Sequence, residues 1–420
     1  MDSRVASALS SASNAEGKSA AVLRLVEECI GRGDGDGLET VVQRSVAEET
    51  RVARTIMLAL AQKIREHLIV RKSNTEALEQ GGNAAMRAMA AQQAAFEEAD
   101  GALRQTFFDH YASEGAYGDA ARALAGMSVD RKSEAEKASL YVTIAETFLE
   151  EDESVEAEGF VNRASSLMQF VPSEDWALQL RYRVTLARTL DARRKFLEAA
   201  VSYYELSQAR HEELDGNDLV ALLAKAVTCA LLGPAGPQRT RIVSTLYKDE
   251  RVNAAMAPSQ EYAAHATVLS KMCTGQLVSK ADVAAFEATL LPHHKALLPD
   301  GMTIPERATI QHNVVALSHV YDNVHFDQVG ALLDVEPAKA MHLTARMIAD
   351  GRLDATIDQV DASLVFTRDD FFSQSRETQT FDADLAALCA DVNACYDKID
   401  SILSAHTSSM TDADGGGAAE

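Results

Sequence analysis

Apolar and polar positions in the middle of this chain recur as a unit. Ile144, Ala145, Phe148, Ala157, Val161 and Ala164 reappear in type at Leu186, Ala187, Leu190, Ala199, Tyr203 and Leu206, offset by 42 residues at every position. An earlier copy with the same internal spacing is Phe107, Phe108, Tyr111, Ala120, Leu124 and Met127. The first three positions of each copy (i, i+1, i+4) share one face of a helix, and the last three (i, i+4, i+7) share one face of a second helix. The small residue in each copy, Ala120, Ala157 or Ala199, lets the two helices approach closely. A single hairpin of this kind cannot bury its apolar face, whereas stacked copies can. The pattern therefore predicts a mostly α fold, an α-solenoid of TPR-like helical repeats. Such arrays offer long surfaces to other proteins and seldom carry chemistry.

The flanking pattern extends this plan. Residues 1–18, rich in Ser and Ala, predict a disordered N-terminus, followed by a helical-repeat arm over 19–291. Its first helix is expected near Ala20–Ile30, a loop at Gly31–Gly37, and a long helix near Leu38–Val70. Residues 73–93, polar and Ala-rich with Gly81-Gly82-Asn83, read as a mobile insertion. Helical hairpins are expected at about 84–127, 133–170 and 174–212, with Pro172 ending one helix and Ser173 offering an N-cap oxygen to the next. From 292 to 366 the texture changes. After a connector, Pro292–Gly301, come helices at Ile304–Tyr321, Phe326–Leu333 and Glu336–Asp350, then two short alternating runs, Ala355–Gln359 and Ser363–Phe366. Three helices and a small hairpin make a winged helix.

A polar linker, 367–380, leads to the most regular pattern in the chain. Phe381, Leu385, Leu388, Val392, Cys395, Ile399 and Ile402 are spaced 4, 3, 4, 3, 4, 3. That is the seam of a bundle helix, expected over 381–406 and followed by a disordered tail at 407–420. So narrow a stripe fits helix-to-helix packing with a partner better than a place on the chain's own core.

Composition narrows the picture further. The 420 residues are 47% hydrophobic and only 6% aromatic, as expected of helical domains. No apolar run approaches a membrane span, and the first twenty residues lack the basic start and apolar core of a secretory signal. Cys29, Cys229, Cys273, Cys389 and Cys395 are odd in number and scattered, so they read as reduced thiols. A net charge of −23 repels nucleic acid and anionic membrane and favours basic protein partners. An intracellular chain, cytoplasmic and nuclear, is the expectation.

Helical repeats running into a winged helix and a terminal helix resemble the PCI proteins, shared by the proteasome lid, the COP-nine signalosome and a translation initiation factor. Several runs resemble the fourth-subunit family of the signalosome in particular. They are Leu149–Glu158 with Asn162–Ser165, Arg193–Ala200 with Tyr204–Ser207, Ala235–Arg239 with Leu246–Arg251, Leu291–Ala296, and Gly351–Leu353 with Asp358–Asp361. The resemblance implies a non-catalytic scaffold and substrate-sensing subunit. Its complex would remove a ubiquitin-like modifier from cullin-RING ubiquitin ligases. The implied partners are other PCI subunits, a metalloprotease-fold pair and the cullin-RING ligase. A proteasome-lid scaffold is the rival within the family.

Readings from other classes fare worse. A zinc isopeptidase needs two histidines one residue apart with carboxylates, and no His-x-His occurs. His293-His294 is adjacent, so the side chains are expected to diverge. His312, His319, His325 and His342 have no Cys or Glu spaced to complete a site. No catalytic residue, metal ligand or cofactor is therefore expected. As a nucleic-acid binder the winged helix lacks charge: from Gly301 to Phe366 there are about nine acidic and about four basic side chains. Three interaction surfaces remain as candidates. They are the heptad seam, an edge of the hairpin for strand pairing (Ala355, Ile357, Gln359, Leu364, Phe366), and an acidic tip (Glu150, Glu151, Glu153) for docking a basic substrate surface. The basic cluster Arg188, Arg193, Arg194 and Lys195 could meet an acidic partner and reads slightly better as a solvated helix end.

Overall fold

The repeat pattern folds as helical hairpins closed by tight turns. In the computed structural model, which describes residues 2–10, 15–71, 74–172, 174–209, 215–299, 301–367, 385, 387–399 and 401, the paired helices are Gln93–Glu114 with Tyr117–Ala125, Glu134–Glu150 with Ser154–Leu167, and Trp176–Ala192 with Phe196–Ser207. Ala120, Ala157 and Ala199 are fully buried, each in the second helix of its pair. Ser133 opens Glu134–Glu150 with a capping box, its hydroxyl accepting from the Glu136 N–H while the Glu136 carboxylate accepts from the Ser133 N–H. Asp175, rather than Ser173, caps Trp176–Ala192, accepting from the Leu178 N–H at 3.3 Å; Ser173 lies outside the described residues.

The chain divides into two compact units, one holding residues up to 274 with 278–308, the other 275–277 with the residues from 309 onward. In the first unit the N-terminal quarter departs from expectation. Residues read as disordered form the helix Asp2–Ser10 and the start of Ala15–Arg32, the expected first helix, because Val5, Leu9, Val22 and Val26 bury one face. The Gly31–Gly37 run is a turn of a few residues. Gly33 is left-handed, Asp34 caps the next helix through the Gly37 N–H, and that helix is Gly35–Val46. The expected long helix is broken into Gly35–Val46 and Thr50–Arg65, with a wider π-helical turn at Glu66–Arg71.

The expected mobile insertion is a packed helix, Thr75–Ala90, with Leu78, Ala85 and Met89 fully buried. Gly81 and Gly82, read as part of the insertion, sit inside it for close packing. A Cβ on Gly82 would lie 2.2 Å from Cζ of Phe107, and one on Gly81 2.9 Å from Cβ of Leu38. Further along, Pro237 opens Pro237–Tyr247, and buried Arg239 donates to the carbonyls of Ala230 and Leu231, closing the end of Gly216–Leu232.

The second unit carries the winged helix. The helices of this plan, Ile304–Ser318 (whose first turn belongs to the first unit), Phe326–Leu333 and Pro337–Ala349, follow the sequence closely. Pro337 at the first turn and left-handed Gly351 beyond the end bracket the third. The sheet has three strands rather than two: β1 (Asn323–His325), β2 (Ala355–Asp358) and β3 (Ser363–Phe366), antiparallel in the order β1-β3-β2. A three-residue strand with one buried side chain, Val324, is too short to show alternation. The described residues near the C-terminus, 387–399 with 385 and 401, are helical and exposed throughout. The expected linker beyond Thr367 and the expected tail lie outside the described residues.

Candidate interaction surfaces and a buried polar cluster

The heptad seam is the most apolar of the candidate surfaces. Leu385, Leu388, Val392 and Ile399 are 49–60% exposed, and Cys395 is exposed beside them. Phe381 and Ile402 lie outside the described residues. Side chains at this spacing form one stripe along the helix, and among the described residues the chain does not cover it.

At the sheet, the residues expected to pair at an edge separate into three groups. Ala355 and Ile357 lie in β2, which bonds only to β3 and so has one unpaired edge among the described residues. Gln359 falls in the turn beyond it. Leu364 and Phe366 belong to the central strand, paired on both sides and buried, and so cannot offer an edge. The cause is β1, the strand the sequence concealed.

The acidic tip is partly neutralised within the chain. Glu150 accepts from Arg188 at 2.8 Å, and Glu153 pairs with Arg122 of the preceding hairpin. Glu158 takes both Arg193 (2.8 Å) and Lys195 (2.9 Å). The basic cluster and the acidic tip are thus largely an exposed ladder of ion pairs between successive repeats, each pair worth about 0–1 kcal/mol. Glu151 alone of the three tip carboxylates makes no ion pair among the described residues.

The histidines of the winged helix stay apart, and none belongs to a cluster of three metal-capable groups among the described residues. His312 meets the Gln276 carbonyl at 3.0 Å and His325 the Asp361 carbonyl at 3.1 Å. The adjacent pair behaves differently from expectation. Pro292–Lys295 is a 3-10 turn, and both rings converge on one carboxylate: His294 Nε2 lies 2.8 Å from Asp191 Oδ1, and His293 Nε2 3.6 Å from Oδ2. Burial alone would raise the Asp191 pKa. The two imidazoles facing it, His293 close by and His294 hydrogen-bonded to it, outweigh burial and hold the group well below the usual carboxylate range. The neighbouring Cys229 thiol bonds to Asp191 and is pushed well up, chiefly by its complete burial. Nothing in the sequence flags this contact, whose partners stand 103 residues apart.

No helix among the described residues is long and apolar enough to cross a membrane. The family described as PSMD12/CSN4, N-terminal, matches residues 4–213, and the PCI domain family matches residues 292–368. COP9 signalosome complex subunit 4 of Arabidopsis thaliana is 38% identical over 311 residues, covering 72% of this chain and 75% of the relative. The subunit of the same name from Emericella nidulans is 35% identical over 334 residues, 77% of this chain and 79% of its own. The one from Drosophila melanogaster is 36% identical over 308 residues, covering 72% and 71%.

Proposed function

This chain belongs to the COP9 signalosome subunit 4 family of PCI proteins, and from that premise we propose that it is a non-catalytic scaffold and substrate-sensing subunit of a signalosome that deneddylates cullin-RING ubiquitin ligases. The observation that carries the scaffold reading is the exposed heptad stripe, Leu385, Leu388, Val392 and Ile399, on a helix whose described residues bury nothing of their own. In water such a stripe is a liability, and burial in a bundle with other PCI subunits removes it. The free edge of β2 offers those subunits backbone hydrogen bonds as well. The isopeptidase itself belongs to a separate metalloprotease subunit. Substrate sensing falls to the repeat arm, where Glu151 is the tip carboxylate left for a basic ligase surface. The complex works in cytoplasm and nucleus.

The N-terminal family name covers a proteasome-lid relative too, whereas relatives matching most of the chain carry the signalosome name. Purifying the tagged full chain from its source and identifying what accompanies it separates these readings. The expected set is several PCI proteins with a metalloprotease subunit and cullin. A proteasome-lid set would replace the proposal with its rival, and a chain purifying alone would end both.

A further inference from the structure

The three repeat turns differ at one position. The N–H groups of Gly115, Asp152 and Arg194 bond back to the carbonyls of Ala112, Leu149 and Asp191, which are therefore equivalent. Two repeats place an apolar residue there. The third places a carboxylate that is 5% exposed. An ionised carboxylate at such a site is costly unless positive charge or strong donors face it. What faces it here is two imidazoles, brought by a turn of the connector. Their ring centroids are 3.9 Å apart.

We propose that Asp191, His293 and His294 form a binding site for a divalent cation of the zinc class, with one carboxylate oxygen and one ring nitrogen of each histidine as ligands. Their donor atoms all lie within 4.8 Å of one another. His293 Nε2 is a buried atom with no hydrogen-bond partner, and His294, 4% exposed, turns its Nε2 to Asp191. A cation would occupy the His293 lone pair and take the place of the proton between His294 and the carboxylate. Two nitrogens and one oxygen suit zinc and its borderline neighbours, while calcium and magnesium need oxygen ligands. The His293 side chain is 30% exposed, so the ring is reached from solvent, which would supply water as a fourth ligand. The Cys229 thiol supports the carboxylate from the outer shell. The role this geometry fits is a clamp, fastening the Pro292–Lys295 turn to the end of Trp176–Ala192.

The test uses the full chain, stripped with a chelator and titrated with Zn²⁺ alone, then with Co²⁺ alone. One equivalent of zinc should bind, and bound Co²⁺ should show the strong visible bands of a four-coordinate site. His293→Gln, a partly exposed position, should fold as the parent does and lose affinity by on the order of a hundredfold. Zinc should raise the melting temperature of the parent and not of that variant. His110→Gln, in the separate Glu79–His110–Glu114 group, should leave the stoichiometry unchanged. Absence of stoichiometric zinc, binding that survives His293→Gln, or binding that disappears when Cys389 and Cys395 become serine would each overturn the proposal. The cluster would then be a hydrogen-bonded pin alone. The Co²⁺ spectrum of the parent decides the matter even if His293→Gln fails to fold.

Discussion

Asp152 and Arg194 hold the same left-handed backbone, φ +61° and +60°, at equivalent points of successive repeats. Gly115 holds it one repeat earlier, at φ +80°. Each is followed by an N–H that reaches back across the turn: Ala116 to Tyr111, Glu153 to Phe148, Lys195 to Leu190, all within 2.9–3.0 Å. The turn geometry, and not only the apolar stripe, is therefore repeated. Glycine adopts it freely, aspartate tolerates it, and arginine pays for it sterically.

Arg194→Gly should consequently stabilise the chain by up to about 1 kcal/mol, the relief of a strained backbone less the added freedom of the unfolded chain. Asp152→Gly should change less. Gly115→Ala should cost about 1–2 kcal/mol although a Cβ there meets nothing within 4 Å, because the penalty is conformational. Denaturant titration of the three variants reads the order directly. A neutral Gly115→Ala would show that the turn relaxes at no cost.

Legibility followed how local each signal was. The winged-helix elements lay within a few residues of expectation because Pro337 and Gly351 punctuate them and each helix shows its own face. The repeats were readable because Ala120, Ala157 and Ala199 recur in a fixed frame. Thr75–Ala90 was not, since Gly81-Gly82 carries the same letters as a turn whether it turns the chain or lets Leu38 and Phe107 come close. Which meaning applies depends on residues far along the chain. Asp191 was illegible for the same reason: its partners are in a connector 103 residues on.

Gly82→Ala tests the packing reading. With Phe107 fully buried against that spot, the added methyl must displace the ring or the helix, at about 1–3 kcal/mol. Adding Phe107→Leu should recover part of the loss, so that the two changes are not additive. Gly31→Ala, where a Cβ meets nothing within 4 Å inside Ala15–Arg32, should instead stabilise by about 0.5–1 kcal/mol. Equal effects at the two positions would contradict the close approach.

His265 makes stability depend on pH. Its ring meets the edges of Tyr262 at 5.9 Å and Phe286 at 5.1 Å, and burial lowers its pKa from 6.5 to about 4. The fold therefore favours the neutral ring. Between these values the unfolded chain takes up a proton that the folded chain refuses. The stabilisation is complete above pH 6.5 and is lost as pH falls towards 4, by about 3 kcal/mol at most. His67, also lowered by burial, acts with the same sign, so the diagnostic is the difference between parent and His265→Leu. The parent's stability minus the variant's should fall steadily from pH 7 to about 4.5. A constant offset would mean that the ring is protonated or neutral in both states throughout.

The seam should decide membership of the complex. Leu388 and Val392 are each 60% exposed, so replacing both with aspartate should alter the isolated chain's stability by only about 0.5 kcal/mol per site. In a bundle the same side chains would be buried, worth about 1.5–3 kcal/mol each, and two carboxylates would need desolvation besides. Even after discounting for the cost of association, Leu388→Asp with Val392→Asp should weaken incorporation by several orders of magnitude. The readout is co-purification with the other subunits alongside a melting curve of the isolated variant. Release from the complex with an unchanged melting curve makes this helix the anchor. Retention at the parent level would move the anchor elsewhere, with the free edge of β2 the next place to look. A lowered melting temperature would show that the stripe packs within this chain, contrary to its exposure.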